Sequence, residues 1–577
     1  MLQSIINIKL VAMAAALGLN TDEWKNPSPA MTQNVQALEE AQKLAASGQQ
    51  APAGKGMNEI FANIKTLADG GDKDAQFAWA HFLRQSNQQG GVEQSLEYYK
   101  KAADQGQLQA MNNYGTILAT SAQAVEKAKE GVTYIKQAAD KGLNEARRNM
   151  ATIYLRGGAG EKPDADAAFK LLDTASKDKD SQADFEIAQF YAGGGGPEKK
   201  DDEKAWTYLQ KASDAANPNA LAYMGALLFG GGKIGDKEIQ KDPGAAVKKF
   251  QQLADQKVPA GLRTMGELHE GGLAGVPKDF TKALDFYTKA AQGNDAAAQL
   301  RLATFYDGGV DFTPGDDKVE VQRNDAAALQ LYRLAAQNNS APAMFQVATF
   351  YEAGRAVDRD LNKAFTLYLQ SAILGLPYGM QKTGVYYLNG AGTQKDPVSA
   401  AAWFARAAAA GLPDGNLSYG IVTENGLVPQ KDPNVSQFFA AGGYYNDAAQ
   451  AVNASDAVRM DALVRLGSLY FRGLMVPSGE QPKQNFERAY LYFKQASNID
   501  KNNQIAAQAR DEAGAKLTVD QRKKADADVE RIEGELKRRK EAAANPAAAA
   551  GAAPAAAPAA TPAAAPARPA TPAPRSR

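Results

Sequence analysis

The stretch "YLNGAGTQKDPVSAAAWF", residues 387–404, combines the residue types of a phosphate-binding loop. Glycines, a lysine and the start of a helix suit an anion, because free backbone N–H groups point outward at a helix N-terminus. The motif "QKDP" recurs, however, and an aspartate N-cap followed by proline at the first helical position occupies those same N–H groups. The aspartate would also repel a phosphate. We therefore predict that the stretch joins two helices and binds no ligand. The three "QKDP" aspartates are Asp242, Asp396 and Asp432.

A second candidate is the acidic segment from Asp307 to Asp325, which offers oxygen ligands of the kind that calcium prefers. Its spacing does not match an EF-hand loop, so we predict a solvated loop between helices and keep a calcium site as the alternative. The carboxylates are Asp307, Asp311, Asp316, Asp317, Glu320 and Asp325.

Composition restricts the chemistry further. The 577 residues include 65 basic and 65 acidic side chains, no cysteine and two histidines, His81 and His269. The absence of cysteine excludes disulfides, thiolate metal sites and a cysteine nucleophile. The balanced charge gives no indication of a nucleic-acid partner. We predict a protein without enzymatic activity, cofactor or nucleic-acid partner.

The elements that carry these residues repeat eleven times, mostly 35 to 37 residues apart. Each copy has a small residue, a second small residue five positions later and, in most copies, a glycine six positions after that. The first small residues are Ala75, Ala110, Ala146, Ala183, Ala220, Gly261, Ala298, Ala343, Gly379, Gly415 and Ala462. The second are Ala80, Gly115, Ala151, Ala188, Gly225, Gly266, Ala303, Ala348, Gly384, Gly420 and Gly467.

A second template follows the first in each repeat, as in "ALDFYTKAA" and "AFTLYLQSA". This template has a small residue, then an aromatic residue three or four positions later and a small pair seven to eight positions later. At these spacings the residues form one face of an α-helix. Each repeat is therefore predicted to be a pair of helices that pack closely at the small residues, with large side chains between neighbouring pairs. The large side chains assigned to this role are Tyr287, Tyr351, Trp403 and Tyr492.

The combined pattern, A-x-x-x-[LM]-[GA]-x-x-Y-x-x-G followed by D-x-x-[KA]-A-x-x-[WFY]-[YF]-x-x-A-A, resembles the Sel1-like repeat, a relative of the tetratricopeptide repeat. The resemblance implies an all-α fold, a right-handed α/α superhelical solenoid of about eleven helix-turn-helix repeats. It also implies a non-catalytic scaffold that binds a protein or peptide partner on its concave surface. The alternative is a cell-wall or β-lactam-related hydrolase, because some cysteine-rich Sel1-like proteins are associated with β-lactam binding. This chain lacks their cysteines.

The resemblance further implies that the fourth and seventh template positions of each first helix face the groove. Most of them are neutral donors and acceptors, which suits an extended peptide. The competing interpretation is that any solenoid has a polar concave face. The candidate partner-binding residues are Asn113, Asn149, Gln189, Tyr223, Glu267, Arg301, Gln346, Lys382 and Arg465.

The predicted organisation has five parts, and the sequence does not specify an oligomeric state. The C-terminal part is almost entirely alanine and proline, which predicts an extended, disordered tail. The parts are a possible signal peptide (1–19), a linker with an N-terminal helix (20–56), the repeat solenoid (57–510), a C-terminal capping helix (511–544) and the tail (545–577).

The first nineteen residues place Lys9 before an apolar run, which suits a secretory signal or, alternatively, a frayed N-terminal helix. No apolar run reaches the roughly 20 residues of a membrane span, so no integral membrane segment is predicted. A signal peptide would make the protein exported or periplasmic, and otherwise it would be cytoplasmic. N-terminal sequencing of the mature chain distinguishes the two: cleavage after the Ala16-x-Gly18 pair would establish export, whereas a chain that still begins at Met1 would favour the helix.

Overall fold

The computed structural model places most of the chain in two compact units, Met1–Asp358 and Arg359–Arg577. The possible signal peptide, Asp432, the Ala/Pro tail and residues 311–320 of the acidic segment lie outside the described residues. The described residues are 27–36, 55–85, 90–121, 125–310, 321–428, 435–476 and 480–544.

The first unit is a stack of helix pairs in which each helix contacts the one before it and the one after it. Residues 29–36 are helical as well. The helices are α1 (Lys55–Asp69), α2 (Lys73–Gln85), α3 (Gly91–Asp104), α4 (Leu108–Ser121), α5 (Val125–Asp140), α6 (Asn144–Arg156), α7 (Ala165–Lys177), α8 (Ser181–Gln189), α9 (Asp202–Asp214), α10 (Pro218–Gly230), α11 (Pro243–Asp255), α12 (Pro259–Gly271), α13 (Phe280–Gln292), α14 (Ala296–Gly308), α15 (Asp325–Gln337) and α16 (Ala341–Ala353).

Two short features interrupt this stack. A π-helical turn, Phe190–Gly194, and a 3₁₀ turn, Pro197–Lys199, connect α8 to α9. An antiparallel hairpin of β1 (Gly232–Ile234) and β2 (Lys237–Ile239) lies between α10 and α11, with Gly232 opposite Ile239. The hairpin is anchored to α9, because Lys237 Nζ donates to Glu203 Oε1 at 2.6 Å.

The second unit continues the same alternation and ends in two helices that cover α23. A capping box opens the last helix, since Thr518 N–H donates to Gln521 Oε1 and Gln521 N–H donates to Thr518 Oγ1. The helices are α17 (Leu361–Ile373), α18 (Pro377–Asn389), α19 (Pro397–Ala409), α20 (Pro413–Glu424), α21 (Gln437–Gln450), α22 (Asp456–Phe471), α23 (Phe486–Ile499), α24 (Gln504–Gly514) and α25 (Val519–Ala544).

The stretch that resembled a phosphate loop is a joint between helices. Gly390 ends α18 in the left-handed conformation, at φ 71°. The Asp396 carboxylate accepts hydrogen bonds from the N–H groups of Val398 and Ser399, both at 3.0 Å. A Cβ atom on Gly392 would overlap the backbone at Leu361, so the joint packs directly on α17. The predicted N-cap at Asp242 is confirmed too, because its carboxylate accepts from Ala245 N–H.

The small residues allow the helices of each pair to approach closely. A Cβ atom placed on Gly266 of α12 would lie 2.9 Å from a ring carbon of Tyr287 in α13, and one on Gly384 of α18 would lie 2.6 Å from the Phe404 ring. These distances are below van der Waals contact, so a larger side chain requires the second helix to move. The predicted all-α solenoid of paired helices is confirmed.

Three of the four predicted large side chains were placed one residue out of register. In α16 Phe350 is fully buried, whereas the predicted Tyr351 is half-buried. Tyr287 fills the space against its partner glycine as expected and is 1% exposed. In α19, however, Phe404 is the buried residue and Trp403 is half-buried, and in α23 Phe493 takes the position expected for Tyr492. Adjacent positions on a helix are about 100° apart, and the pattern of two neighbouring aromatics does not distinguish which one points inward.

Overpacking tests this contact. We expect Gly384→Val to destabilise the protein by about 1 to 3 kcal/mol, because its side chain would overlap the Phe404 ring. Combining it with Phe404→Leu should cost less than the sum of the two single changes, since the smaller side chain relieves the overlap. Urea unfolding of the four proteins measures this coupling.

The matched control is Gly443→Ala in α21, where a Cβ atom meets nothing within 4 Å. This change should stabilise the helix by about 0.5 to 1 kcal/mol. Strict additivity of the Gly384 and Phe404 changes would show that the two side chains do not compete for the same space.

Candidate binding face of the first helices

Side chains at the fourth and seventh template positions share one side of each first helix, because residues three apart are neighbours on a helix. We call this surface the first-helix face. Side chains of consecutive first helices contact each other from α4 to α10 and again between α12 and α14. The first helices concerned are α4, α6, α8, α10, α12, α14 and α16.

The N-terminal part of the face consists of neutral polar groups. Asn149 Nδ2 of α6 donates to Asn112 Oδ1 of α4 at 2.8 Å and lies 3.4 Å from Thr116 Oγ1. Asn113, half-buried, accepts from Asn112 at 3.4 Å. A cleft of about 200 Å³ opens here over an apolar floor of Ile135 and Ile153. Its other lining residues include Thr116, Asn149, Thr152 and Arg156.

The next two helices present exposed side chains to solvent. Gln189 is exposed at the end of α8. The Tyr223 side chain of α10 is 40% exposed, and its ring stands edge-on to Phe185 of α8 with 6.2 Å between centroids.

Gln346, the predicted residue on α16, is half-buried, and its Oε1 lies 3.4 Å from the Thr349 hydroxyl.

The face becomes charged at α12 and α14. Glu267 pairs with Arg263 in its own helix at 2.6 Å, and Arg263 also reaches Asp295 at 3.3 Å. Arg301 of α14 donates from Nε to Glu270 Oε2 of α12 at 3.2 Å. A cleft of about 360 Å³ opens here, and its lining residues are Arg263, Glu267, Glu270, Tyr287, Ala297, Leu300, Arg301 and Thr304.

Arg301 belongs to a recurring triad of tyrosine, acid and arginine. In each, the tyrosine of a second helix donates to the acid that ends its own first helix, and an arginine further along the chain binds that acid. The triads are Tyr287–Glu270–Arg301 and Tyr332–Asp307–Arg355 in the first unit and Tyr445–Glu424–Arg465 in the second. The tyrosine to acid distances are 2.7, 3.2 and 2.6 Å.

The protonation equilibria follow this arrangement. Burial raises the pKa of Glu270, but hydrogen bonds from Arg301 and Tyr287 outweigh it and hold the pKa below its ordinary value of 4.5. Burial and the hydrogen bond to Glu270 raise the pKa of Tyr287. Glu270 is therefore a carboxylate and Tyr287 a neutral phenol at neutral pH, which fits a structural tie and not proton transfer.

The second unit contains the last two predicted residues, both half-buried. The Lys382 ammonium of α18 lies 5.6 Å from the ring centroid of Tyr368. Arg465 of α22 binds Asp461 at 2.9 Å and lies 3.8 Å from Glu424. The predicted cations are thus held by groups of the protein itself.

Glu270, Glu424 and Arg355, which sequence reasoning missed, complete these contacts. Asp307 and Asp325, taken as possible calcium ligands, both accept hydrogen bonds from Arg355 at 2.5 and 2.7 Å. Among the described residues no cluster of carboxylates or histidines is arranged to hold a metal ion. One sequence feature could have identified the acids of the triads. Each lies nine positions after the first small residue of its repeat, as at Glu270, Asp307 and Glu424.

The triad predicts an acid-dependent loss of stability. A carboxyl group with a lowered folded-state pKa stabilises the fold above its unfolded pKa, and this contribution disappears as pH falls through the folded value. We expect Glu270→Gln to lower the melting temperature at pH 7. The difference from the unmodified protein should shrink as the pH falls from about 4.5 through the lowered folded-state pKa, because Glu270 is protonated in both states only below that pKa.

The control is Glu267→Gln, which removes an exposed pair within one helix worth about 0.2 to 0.5 kcal/mol. It should change the melting temperature little at any pH. Equal effects of the two substitutions at pH 7 would contradict a special role for Glu270.

Comparison with known proteins gives one family and a set of solved structures. The Sel1 repeat family matches more than half of the chain, omitting the units of α10–α11 and α20–α21, which are nonetheless paired helices. A protective antigen of uropathogenic Escherichia coli with an SLR fold is 20% identical, at a TM-score of 0.53 over 87% of this chain and 99% of that chain. A Sel1 repeat protein from Oxalobacter formigenes is 22% identical, at a TM-score of 0.39 over 57% of this chain and 92% of that chain. No curated protein matches significantly. The nine family matches are 73–107, 108–143, 144–180, 181–217, 260–295, 296–340, 341–376, 377–412 and 461–500.

Proposed function

Because the chain belongs to the Sel1 repeat family, we propose that it is a non-catalytic scaffold whose first-helix face binds an extended segment of another protein. Proteins of this repeat class generally mediate protein–protein interactions. The observation that carries the proposal is the largely neutral part of the face from Asn113 to Tyr223, which ends in an exposed aromatic ring. Glu186 is its one charged template residue, and Arg148 of α6 pairs with it.

Neutral amides and hydroxyls suit a polypeptide backbone. Every residue of an extended segment brings one N–H donor and one C=O acceptor, except proline. Gln189 and Thr152 are exposed, and the cleft beside Asn149 has polar walls over an apolar floor. Such a surface binds backbone groups by hydrogen bonds and takes single side chains into the cleft.

The charges of the face contribute less to partner choice than the sequence suggested. Arg301 and Arg465 are bound by Glu270 and Glu424, so removing either arginine disturbs the contact between repeats as well as the surface. Asn149 is likewise bonded to Asn112. Alanine substitutions at these residues therefore do not separate binding from stability, and exposed positions are the better probes.

One serine and lysine contact bears on the hydrolase alternative. Lys211 Nζ of α9 donates to Ser176 Oγ at 2.8 Å and to Asp184 Oδ1 at 2.8 Å. A lysine that activates a serine must be neutral. Here it is paired with a carboxylate that is 4% exposed, and the serine hydroxyl donates to that same carboxylate at 2.6 Å. The cluster joins three helices and favours the scaffold.

Site-specific photo-crosslinking tests the proposal. With p-benzoylphenylalanine at Gln189 or Tyr223 in the native host, we expect one discrete partner band that is shared by both positions. The contacted segment of the partner, mapped by mass spectrometry, should be short and contiguous.

The matched control carries the crosslinker at Gln210, which is exposed on the second helix α9. No band should appear from that position. A partner captured equally from Gln210 would place the interaction elsewhere, and turnover of a cell-wall substrate by the pure protein would replace the scaffold with an enzyme.

A further inference from the structure

An apolar patch lies on the joint between α17 and α18 of the second unit. Ile373, Leu374 and Tyr378 are 68%, 48% and 57% exposed, and they fall within the short apolar sequence "ILGLPY". We call these three residues the joint patch. Single exposed apolar side chains are ordinary, but three within six consecutive residues indicate a surface that is covered by something.

The other repeats provide an internal comparison. The residue six positions before the first small residue is where the second helix ends, and only Ile373 is a large apolar residue there. The equivalents are Asp69, Asp104, Asp140, Lys177, Asp214, Asp255, Gln292, Gln337 and Ala409, and in the last repeat the second helix α21 ends earlier, at Gln450. The fold therefore does not require an apolar side chain at this joint, and Ile373 needs another explanation.

The last helix points toward the edge of the second unit that carries the joint patch. Lys524 of α25 pairs with Glu487 of α23, and Glu533 further along α25 accepts from Asn498 near the end of α23. The two helices are thus parallel. Short joints make consecutive helices antiparallel, so α17, α19, α21 and α23 all run in the same direction. The end of α25 therefore lies on the edge where α17 meets α18.

The 33 residues from Asn545 to Arg577 are long enough to return along that edge. In a polyproline II conformation they span about 100 Å, at roughly 3.1 Å per residue. Three helix pairs separate the joint patch from the end of α23, and helices pack about 8 to 10 Å apart. The distance to be covered is well within the reach of the tail.

The composition of the tail matches the patch. No charged residue occurs between Asn545 and Ala567, and Arg568 is the single charge between Pro566 and Pro572. Pro566, Pro569 and Pro572 are spaced by three, which places them on one edge of a polyproline II helix. Proline-rich segments of this kind dock on exposed aromatic and aliphatic surfaces.

We propose that the tail folds back along this edge of the second unit and that Pro566, Pro569 and Pro572 pack against the joint patch of the same chain. Intramolecular docking covers Ile373 and Tyr378 without a second protein. The contact involves neither Gln189 nor Tyr223 on the first-helix face. It can therefore be confirmed or refuted independently of the scaffold function.

The absence of cysteine makes a direct test possible in the full-length chain. Thr571→Cys is combined with Gln370→Cys, on the exposed side of α17 beside the patch, or with Lys501→Cys, exposed just after α23. Disulfide formation is followed on gels at low protein concentration. A docked tail should form the disulfide with position 370 about tenfold faster than with position 501, whereas an undocked tail favours the nearer position 501, because effective concentration falls with distance.

Variants of the patch identify the contact. Ile373→Asp with Tyr378→Asp should abolish the preference for position 370. Ile505→Asp is the matched control, because Ile505 is 73% exposed and lies outside the patch. Circular dichroism verifies that each variant is folded. Faster bonding at position 501, bonding unaffected by the patch variants, or disulfide-linked dimers would each overturn the proposal, the dimers by showing that a second copy covers the patch.

Discussion

The close approach of two helices at a small residue is the contact on which the rest of the structure depends. The Tyr287 ring lies against Gly266, and the Tyr445 ring lies against Gly420, where a Cβ atom would be only 2.6 Å away. A ring in that position extends along the first helix, and its hydroxyl reaches the residue four positions later. Those residues are Glu270 and Glu424, the acids of the triads. The packing of one pair thus sets the position of the carboxylate that binds the arginine of a later repeat.

The same small residues explain why the fold could be predicted from the sequence. Two Ala or Gly residues five apart recur in all eleven units, including the two units that the family comparison omits. Helix ends were predictable at Asp396 and Gly390 because capping is a local property of the chain. The inward aromatic was less predictable, since Trp403 and Phe404 are adjacent and only the packing against Gly384 shows that Phe404 is the buried one.

The candidate site was predictable in position but not in its contacts. Template spacing placed Asn149, Tyr223 and Arg301 on the first helices, where they are found. It could not show that Arg301 binds Glu270, because the two residues are 31 positions apart and neither is unusual in its own repeat. Interactions between repeats depend on how neighbouring pairs stack, which a periodic pattern in one chain does not specify.

From α12 onward, the type of aromatic residue on the second helix nevertheless correlates with the type of residue that its ring reaches on the first helix. Tyrosine occurs where the residue four after the small position is an acid, as at Tyr287 with Glu270. Phenylalanine occurs where that residue is apolar: Phe404 corresponds to Leu388, and Phe493 to Phe471. A buried phenol must have a hydrogen-bond acceptor, and a half-buried acid beside an aromatic ring is stabilised by a donor, so each group supports the other. The triads are therefore cooperative units, and repeats without the tyrosine rely on apolar contact for the same joint.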